Sequence, residues 1–192
     1  MKVLSAIIVL LFLLAAACLG VVYSGVYNVS ATKGHGPFEH WLLNTTMKSS
    51  VRRHAEDIAV PDLTNPKLMQ LGFHHYDEMC VSCHGAPGVP PAELAKGLTP
   101  RPPALAEEDE QWSPAELYWI VKNGIKMTGM PAWGPTHGDK DLWAIVAFLR
   151  ELPALSPQEY RLMKERAQGG PPNGSGGQEH DHPHGDESAH SH

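Results

Sequence analysis

Residues 78–86 read EMCVSCHGA, which places two cysteines three positions apart and a histidine directly after the second. The chain has 192 residues and one further cysteine, Cys18. A structural zinc site needs four ligands, usually including a second close Cys or His pair, and no second cysteine pair exists. A thioredoxin-like pair would stand beside a β-α-β pattern, which is absent. A disulfide between Cys80 and Cys83 would give no reason for the adjacent His84.

The pattern C-x-x-C-H is that of covalent haem attachment. Two thiols three residues apart on a helical turn can form thioethers with the two vinyl groups on one porphyrin edge, and the next side chain then lies beneath the iron. We therefore predict one covalent haem c, attached through Cys80 and Cys83, with His84 as the proximal iron ligand.

The loop KMTGMPAWG, residues 126–134, supplies candidates for the opposite face of the iron. A methionine in a helical protein usually fills the core, but Met130 lies in a Gly-Met-Pro turn that no helix can include. We predict Met130 as the second axial ligand, with Met127 as the alternative and His137 as a more distant candidate. Thioether sulfur is a soft ligand that favours reduced iron, so a His/Met pair raises the reduction potential relative to two nitrogens.

The start of the chain is strongly apolar, because residues 3–22 carry no charge. Twenty residues at about 1.5 Å each make a helix of about 30 Å, the thickness of the hydrocarbon core of a bilayer. A cleaved signal peptide is the alternative, although its apolar region is usually only about 7 to 15 residues long. We predict that residues 1–24 form a single-pass anchor, or an uncleaved signal, in a bacterial inner membrane, with the haem domain facing the periplasm. Cys18 lies inside this run and is interpreted as an apolar residue of the anchor helix, since its "LAAAC" context resembles a lipoprotein cleavage box only faintly.

The rest of the chain divides into four segments. Residues 25–60 are polar and predict a stalk, and residues 61–155 predict a compact haem domain of helices and long loops with no alternating strand pattern. Residues 156–168 predict a short charged helix. Residues 169–192 are rich in Gly, Pro and His, which cannot support a core, and predict a disordered tail. The predicted fold class is all-α.

Composition and charge limit the function. The hydrophobic content of 42% suffices for one core. The formal net charge is −6 and no long basic run occurs. Because phosphate binding needs clustered Lys and Arg, these values argue against a nucleic-acid partner.

From about residue 63 to residue 152 the chain resembles a class I c-type cytochrome, the small monohaem electron-transfer domain that also occurs in subunits of respiratory oxidases. Gly72 and Tyr76 together with the C-x-x-C-H motif resemble the first helix of that family. The stretch GMPAW, residues 129–133, resembles its methionine loop, and IVAFLREL, residues 145–152, resembles its closing helix. The implied architecture is the cytochrome c fold, in which Gly72 lets the first helix cross closely over the last, against Phe148.

The resemblance also implies a proline carbonyl that accepts a hydrogen bond from the second ring nitrogen of His84 and so orients the ring. Pro91 is the predicted residue and Pro90 the alternative. The chain departs from the family here, because Val89-Pro90-Pro91 stands where the family often has a glycine-rich loop that ends in Gly-Pro.

The function that the resemblance implies is electron transfer without catalysis. A membrane-anchored monohaem cytochrome would shuttle single electrons between respiratory partners such as an oxidase, a reductase or a dehydrogenase complex. One alternative is haem-based binding or sensing of a gas or peroxide, with a methionine that can be displaced. Another is a subunit whose haem serves only within a larger oxidase or dehydrogenase.

The tail carries five histidines at short spacing, interspersed with carboxylates. Such a pattern on a flexible chain can bind nickel, copper or zinc, and the alternative is a solvated tail that binds metal only adventitiously. The candidate tail ligands are His180, His182, His184, His190 and His192.

Overall fold

The computed structural model describes residues 1–107 and 112–168. Eight α-helices occur in these ranges: α1 (Lys2–Ser24), α2 (Pro37–Ala55), α3 (Pro66–His75), α4 (Val81–His84), α5 (Glu93–Lys96), α6 (Pro114–Asn123), α7 (Asp139–Glu151) and α8 (Pro157–Gln168). A π-helical turn, Tyr76–Cys80, joins α3 to α4, and a 3₁₀ turn, Leu152–Ala154, follows α7. No β-strand forms within the described ranges, so the predicted all-α class is confirmed.

The first helix is separate from the packed part of the chain. α1 has 23 residues, a mean hydropathy of 2.9 over its most apolar window, and no buried residue. By length and composition α1 can cross a membrane, and it is the one helix of that kind in the part of the chain that the structure describes.

Local capping signals determine where α3 and α6 begin. The side chain of Asn65 accepts a hydrogen bond from the backbone of Lys67 at 3.0 Å, and Pro66 occupies the first position of α3. At α6, Ser113 Oγ accepts from the amide of Glu116 at 3.3 Å, while the Glu116 carboxylate accepts from the amide of Ser113 at 2.7 Å. Each pair satisfies backbone groups that the first helical turn would otherwise leave free.

α3 and α7 cross in close backbone contact. A Cβ at Gly72 would lie 1.9 Å from the carbonyl oxygen of Ala144 and 2.9 Å from Cβ of Phe148. Only glycine fits at such a distance, and α7 buries six of its residues from Leu142 to Phe148. This crossing brings the end of α3, and the cysteine motif after it, to one side of α7.

The core lies on two sides of α7. One cluster joins Phe73 and Tyr76 to Phe148, all at most 2% exposed. The other joins Tyr118 and Val121 of α6 to α7 through the buried residues Leu142, Ile145 and Val146.

The predicted haem domain, residues 61–155, also packs against a helix on each side of it in sequence. On the N-terminal side, α2 lies against α6, and its Val51 and Ala55 are 1% and 4% exposed. Arg52 Nε lies 3.9 Å from Glu116 Oε1 across this contact. The segment predicted as a stalk therefore contains a helix whose second half belongs to the packed domain.

On the C-terminal side, α8 occupies the position predicted for a short charged helix. Tyr160 is 1% exposed and packs edge-on to Phe73, with ring centroids 5.4 Å apart. Its hydroxyl donates to Asp77 Oδ1 at 2.8 Å, and Lys164 Nζ donates to the same oxygen at 3.0 Å. α8 therefore packs on the core through the buried ring of Tyr160, and two of its side chains donate hydrogen bonds to the carboxylate of Asp77.

Candidate functional site

One apolar cavity of about 380 Å³ lies beside α4. The cysteine motif, α6, the methionine loop and the proline-rich segment at residues 100–103 all contribute to its wall. Four predicted site residues line it together: Cys80, Cys83, His84 and Met130. These residues come from positions up to 50 apart in the sequence. Local sequence patterns identified them as separate candidates, and the fold brings them to one cavity.

Both cysteines of the motif lie on the cavity wall, and no disulfide joins them. Cys80 is 9% exposed, whereas Cys83 is partly exposed. Burial, with a smaller contribution from Cys83, raises the pKa of the Cys80 thiol to about 12. Because the thiolate is the reactive form, Cys80 is a weak nucleophile once the fold has closed around it.

The imidazole of His84 is oriented by a backbone carbonyl. Its Nδ1 lies 2.9 Å from the carbonyl oxygen of Pro103, and a carbonyl can only accept, so Nδ1 carries the hydrogen. Nε2 then keeps its lone pair free for a metal. Burial lowers the pKa of His84, although the bond to Pro103 acts in the opposite direction. The ring is thus held in the neutral form, in which an imidazole can bind a metal.

The prediction of Pro91 as the carbonyl facing His84 is wrong in this geometry, and so is the alternative Pro90. A closed turn pairs Ala86 with Val89 through two backbone hydrogen bonds of 2.8 Å. The following chain then returns along α4, where the amide of Ala92 donates to the carbonyl of Ser82 at 2.8 Å. Pro91 packs on Gly85 instead, 3.1 Å from the position a Cβ there would take.

Tyr76 fixes the far end of the cysteine motif. Its side chain is 0% exposed and its hydroxyl donates to the carbonyl of Gly85 at 2.7 Å. Gly85 itself has φ 68°, a left-handed conformation that ends α4 directly after His84. The bond therefore spans the π-helical turn and α4 and holds both cysteines between its two ends.

The loop after α6 presents one methionine to the cavity and the other to solvent. Met130 lines the cavity, and its amide donates to Thr128 Oγ1 at 3.1 Å. That hydroxyl in turn donates to the carbonyl of Ile125 at 2.8 Å. Met127 has φ 62° and is 80% exposed. Of the two methionines, only Met130 is among the described residues that line the cavity, and its role as a ligand stays a prediction.

The loop is also tied to the end of α6. Gly124 has φ 66°, and a Cβ there would lie 2.7 Å from the carbonyl oxygen of Met130. The amide of Trp133 donates to the carbonyl of Val121 at 3.1 Å. His137, the more distant ligand candidate, makes an edge contact with Trp133 at 5.5 Å and is not among the described residues that line the cavity.

The cavity wall also includes residues that were not predicted from the sequence, and three of them have large side chains from separate parts of the chain. Met47 reaches the cavity from α2, and Trp112 reaches it from the segment before α6. Arg101 is the one Lys, Arg, Asp or Glu side chain among the described lining residues. Of these three residues, only Arg101 could have been noticed in the sequence, as a charged residue among prolines. Met47 could not, because the packing of α2 on α6 depends on distant parts of the chain.

The predicted tail site lies outside the described residues, since residues 169–192 are not among them. Within residues 1–107 and 112–168, no group of three or more His, Cys, Asp or Glu side chains could hold a metal ion.

The family model described as cytochrome c oxidase, cbb3-type, subunit III matches residues 67–149, which is under half of the chain. No solved structure matches the chain. The matched span contains the cysteine motif, the methionine loop and the crossing of α3 over α7. Residues 67–149 therefore belong to the c-type cytochromes, which carry electrons on covalently bound haem.

Proposed function

We propose that the chain is a membrane-anchored electron carrier with one haem c, attached through Cys80 and Cys83 and ligated by His84 and Met130. The observation that carries the proposal is the convergence of these four side chains on one apolar cavity. When bound, haem supplies an iron that accepts and releases one electron at a time. The donor set of one imidazole nitrogen and one thioether sulfur fits that iron.

Hydrogen bonds within the chain would position both residues that we propose as iron ligands. Pro103 orients His84, and the hydrogen bonds of Thr128 fix the backbone that carries Met130. If His84 and Met130 both ligate the iron, no open site would remain for a substrate. The surrounding protein would then need to rearrange little when the iron gains or loses an electron. This favours electron transfer over catalysis.

We assign Arg101 to the haem propionates. Its guanidinium is a permanent cation on the rim of an otherwise apolar cavity, and a guanidinium pairs with carboxylates through two parallel hydrogen bonds. An exchange of Arg101 for Lys would keep the charge and lose the paired geometry.

The membrane location and the partners follow from two further observations. The length and hydropathy of α1 support a single-pass anchor. We place this anchor in a bacterial inner membrane, with the haem domain on the periplasmic side. The match to a cbb3-type oxidase subunit supports a respiratory complex as the electron partner. Blue-native gels of solubilised membranes, stained for haem, test this: a high-mass haem band supports the complex, and a single small band contradicts it.

The ligation is tested by comparing Met130→Ala with Met127→Ala, each made in a host that matures c-type cytochromes. We expect Met130→Ala to lose the weak long-wavelength ferric band of an iron–sulfur bond, to become high-spin, and to bind carbon monoxide when reduced. Met127→Ala should behave as the unaltered protein. If the unaltered protein is itself high-spin and binds carbon monoxide rapidly, the alternative of gas or peroxide binding replaces the carrier.

A further inference from the structure

The first turns of α2 expose an unusual concentration of large apolar side chains. Phe38, Trp41 and Leu42 are 69%, 59% and 45% exposed. Their spacing of three and four residues places them on one face, and the rings of Phe38 and Trp41 are 5.9 Å apart. We call these three residues the α2 patch. Scattered apolar side chains are normal on a surface, but a contiguous aromatic patch indicates a contact.

The other half of the same helix is packed firmly. Val51 and Ala55 are buried where α2 lies against α6, and the ring of His54 lies 5.5 Å from that of Trp119. Met47 reaches the haem cavity from the same helix. The exposed first half and the packed second half belong to one continuous helix. A contact made by the α2 patch would therefore fix the orientation of the haem domain relative to whatever the patch binds.

The connection between α1 and α2 limits how far the domain can lie from the end of α1. Only residues 25–36 separate Ser24, the last residue of α1, from Pro37, the first residue of α2. The Thr99 hydroxyl donates to the carbonyl of Ala31, so this connection touches the domain after seven residues. Seven residues span at most about 25 Å. The segment at Thr99, two residues before the cavity-lining Arg101, therefore lies within that reach of the end of the predicted span.

The chemistry of the patch fits a bilayer interface better than a protein partner of unknown nature. Tryptophan is favoured at the level of the lipid headgroups, and phenylalanine and leucine are typical of the apolar face of interfacial helices. Glu39 is the only carboxylate in residues 25–55. It accepts a hydrogen bond from the amide of Gly36 at 2.9 Å and lies 3.8 Å from His35. Its charge is thus partly compensated beside the patch.

We propose that the α2 patch lies in the headgroup region of the bilayer that α1 spans, and so holds the haem domain in one orientation with the cavity rim close to the membrane. The proposal rests on the anchor assigned under the proposed function. The α2 patch would be a second membrane contact besides α1. With two contacts, the haem domain would keep one orientation relative to the membrane instead of rotating freely about its linker.

The contact is tested with the full-length holoprotein in vesicles of phospholipids brominated at the upper acyl chain. The emission of Trp41 is obtained as the difference between the unaltered protein and Trp41→Phe. We expect brominated lipid to remove most of that difference, because bromine quenches an indole only at close range. An undiminished difference contradicts the proposal. Protection of Trp41 from acrylamide without lipid quenching also contradicts it and indicates a protein partner instead.

The orientation is tested by linear dichroism of the haem band in oriented bilayers. The double variant Phe38→Ser with Trp41→Ser should lose most of the dichroism, while Leu94→Ser, which alters a 72% exposed leucine on α5, should retain it. Equal dichroism in both variants overturns the proposal. Failure of the anchor is separately visible, because alkaline carbonate would then extract all of these proteins from native membranes.

Discussion

The carbonyl oxygen of Ala144 lies 1.9 Å from the position that a Cβ on Gly72 would occupy. No side-chain rotation can relieve this contact, since the opposing atom belongs to the backbone of α7. An added methyl group must therefore separate α3 from α7, and with them the cysteine motif from the core.

Gly72→Ala is expected to lower the free energy of unfolding by about 3 kcal/mol, because it overpacks a backbone contact. Gly97→Ala is the matched control, since a Cβ there meets only the carbonyl oxygen of Leu94 at 3.6 Å. The control should stay within about 1 kcal/mol of the unaltered protein. Guanidinium unfolding of the detergent-solubilised chain, followed at the haem absorption band, measures both. Equal stabilities would mean that the helices do not cross here.

The parts of this fold that could be predicted from the sequence are those with local causes. The cap at Ser113, the cysteine motif and the turn that separates Met130 from Met127 are each determined by residues within a few positions. Pro103 could not be identified, because the closed turn at residues 86–89 redirects the chain and leaves a later proline facing His84. The packing of α2 and of Tyr160 was missed for the same reason: Arg52 of α2 and Tyr160 each contact a residue more than 60 positions away in sequence.

Tyr160→Ala should destabilise the domain by about 4 kcal/mol, since it removes a buried aromatic ring from beside Phe73 and leaves Asp77 without its hydroxyl donor. Leu162→Ala, on the exposed side of the same helix, should cost less than about 1 kcal/mol. The same unfolding measurement applies. If both variants cost equally little, α8 is not part of the core.

Met47→Ala is expected to lower the reduction potential of the haem. The change opens the cavity wall from α2 and admits water, which favours the more highly charged ferric iron. Met127→Ala removes a methionine that is 80% exposed and should leave the potential unchanged. Spectroelectrochemical titration of the two variants separates them, and indistinguishable potentials would exclude α2 from the haem environment.

Asp139 should make the domain sensitive to acid. Hydrogen bonds from Lys122 and Tyr118 hold the pKa of Asp139 below its ordinary value of 3.8. A carboxylate whose pKa is lower in the folded than in the unfolded state stabilises the fold at pH values above its unfolded-state pKa. That stabilisation is lost as the pH falls through its folded-state pKa. Between pH 7 and pH 2.5 the melting temperature of Asp139→Asn should therefore fall less than that of the unaltered protein. If the melting temperatures of the two proteins fell equally over this pH range, the Lys122–Asp139 pair would contribute nothing to the pH dependence of stability.

The central claim is that haem is bonded to the chain through Cys80 and Cys83. The direct measurement is acid–acetone extraction of the purified, properly matured protein, followed by a pyridine haemochrome spectrum of the precipitated polypeptide. The account predicts that the colour stays with the polypeptide, with the spectrum of a haem that has lost both vinyl groups to thioethers. Colour that passes entirely into the solvent would contradict it.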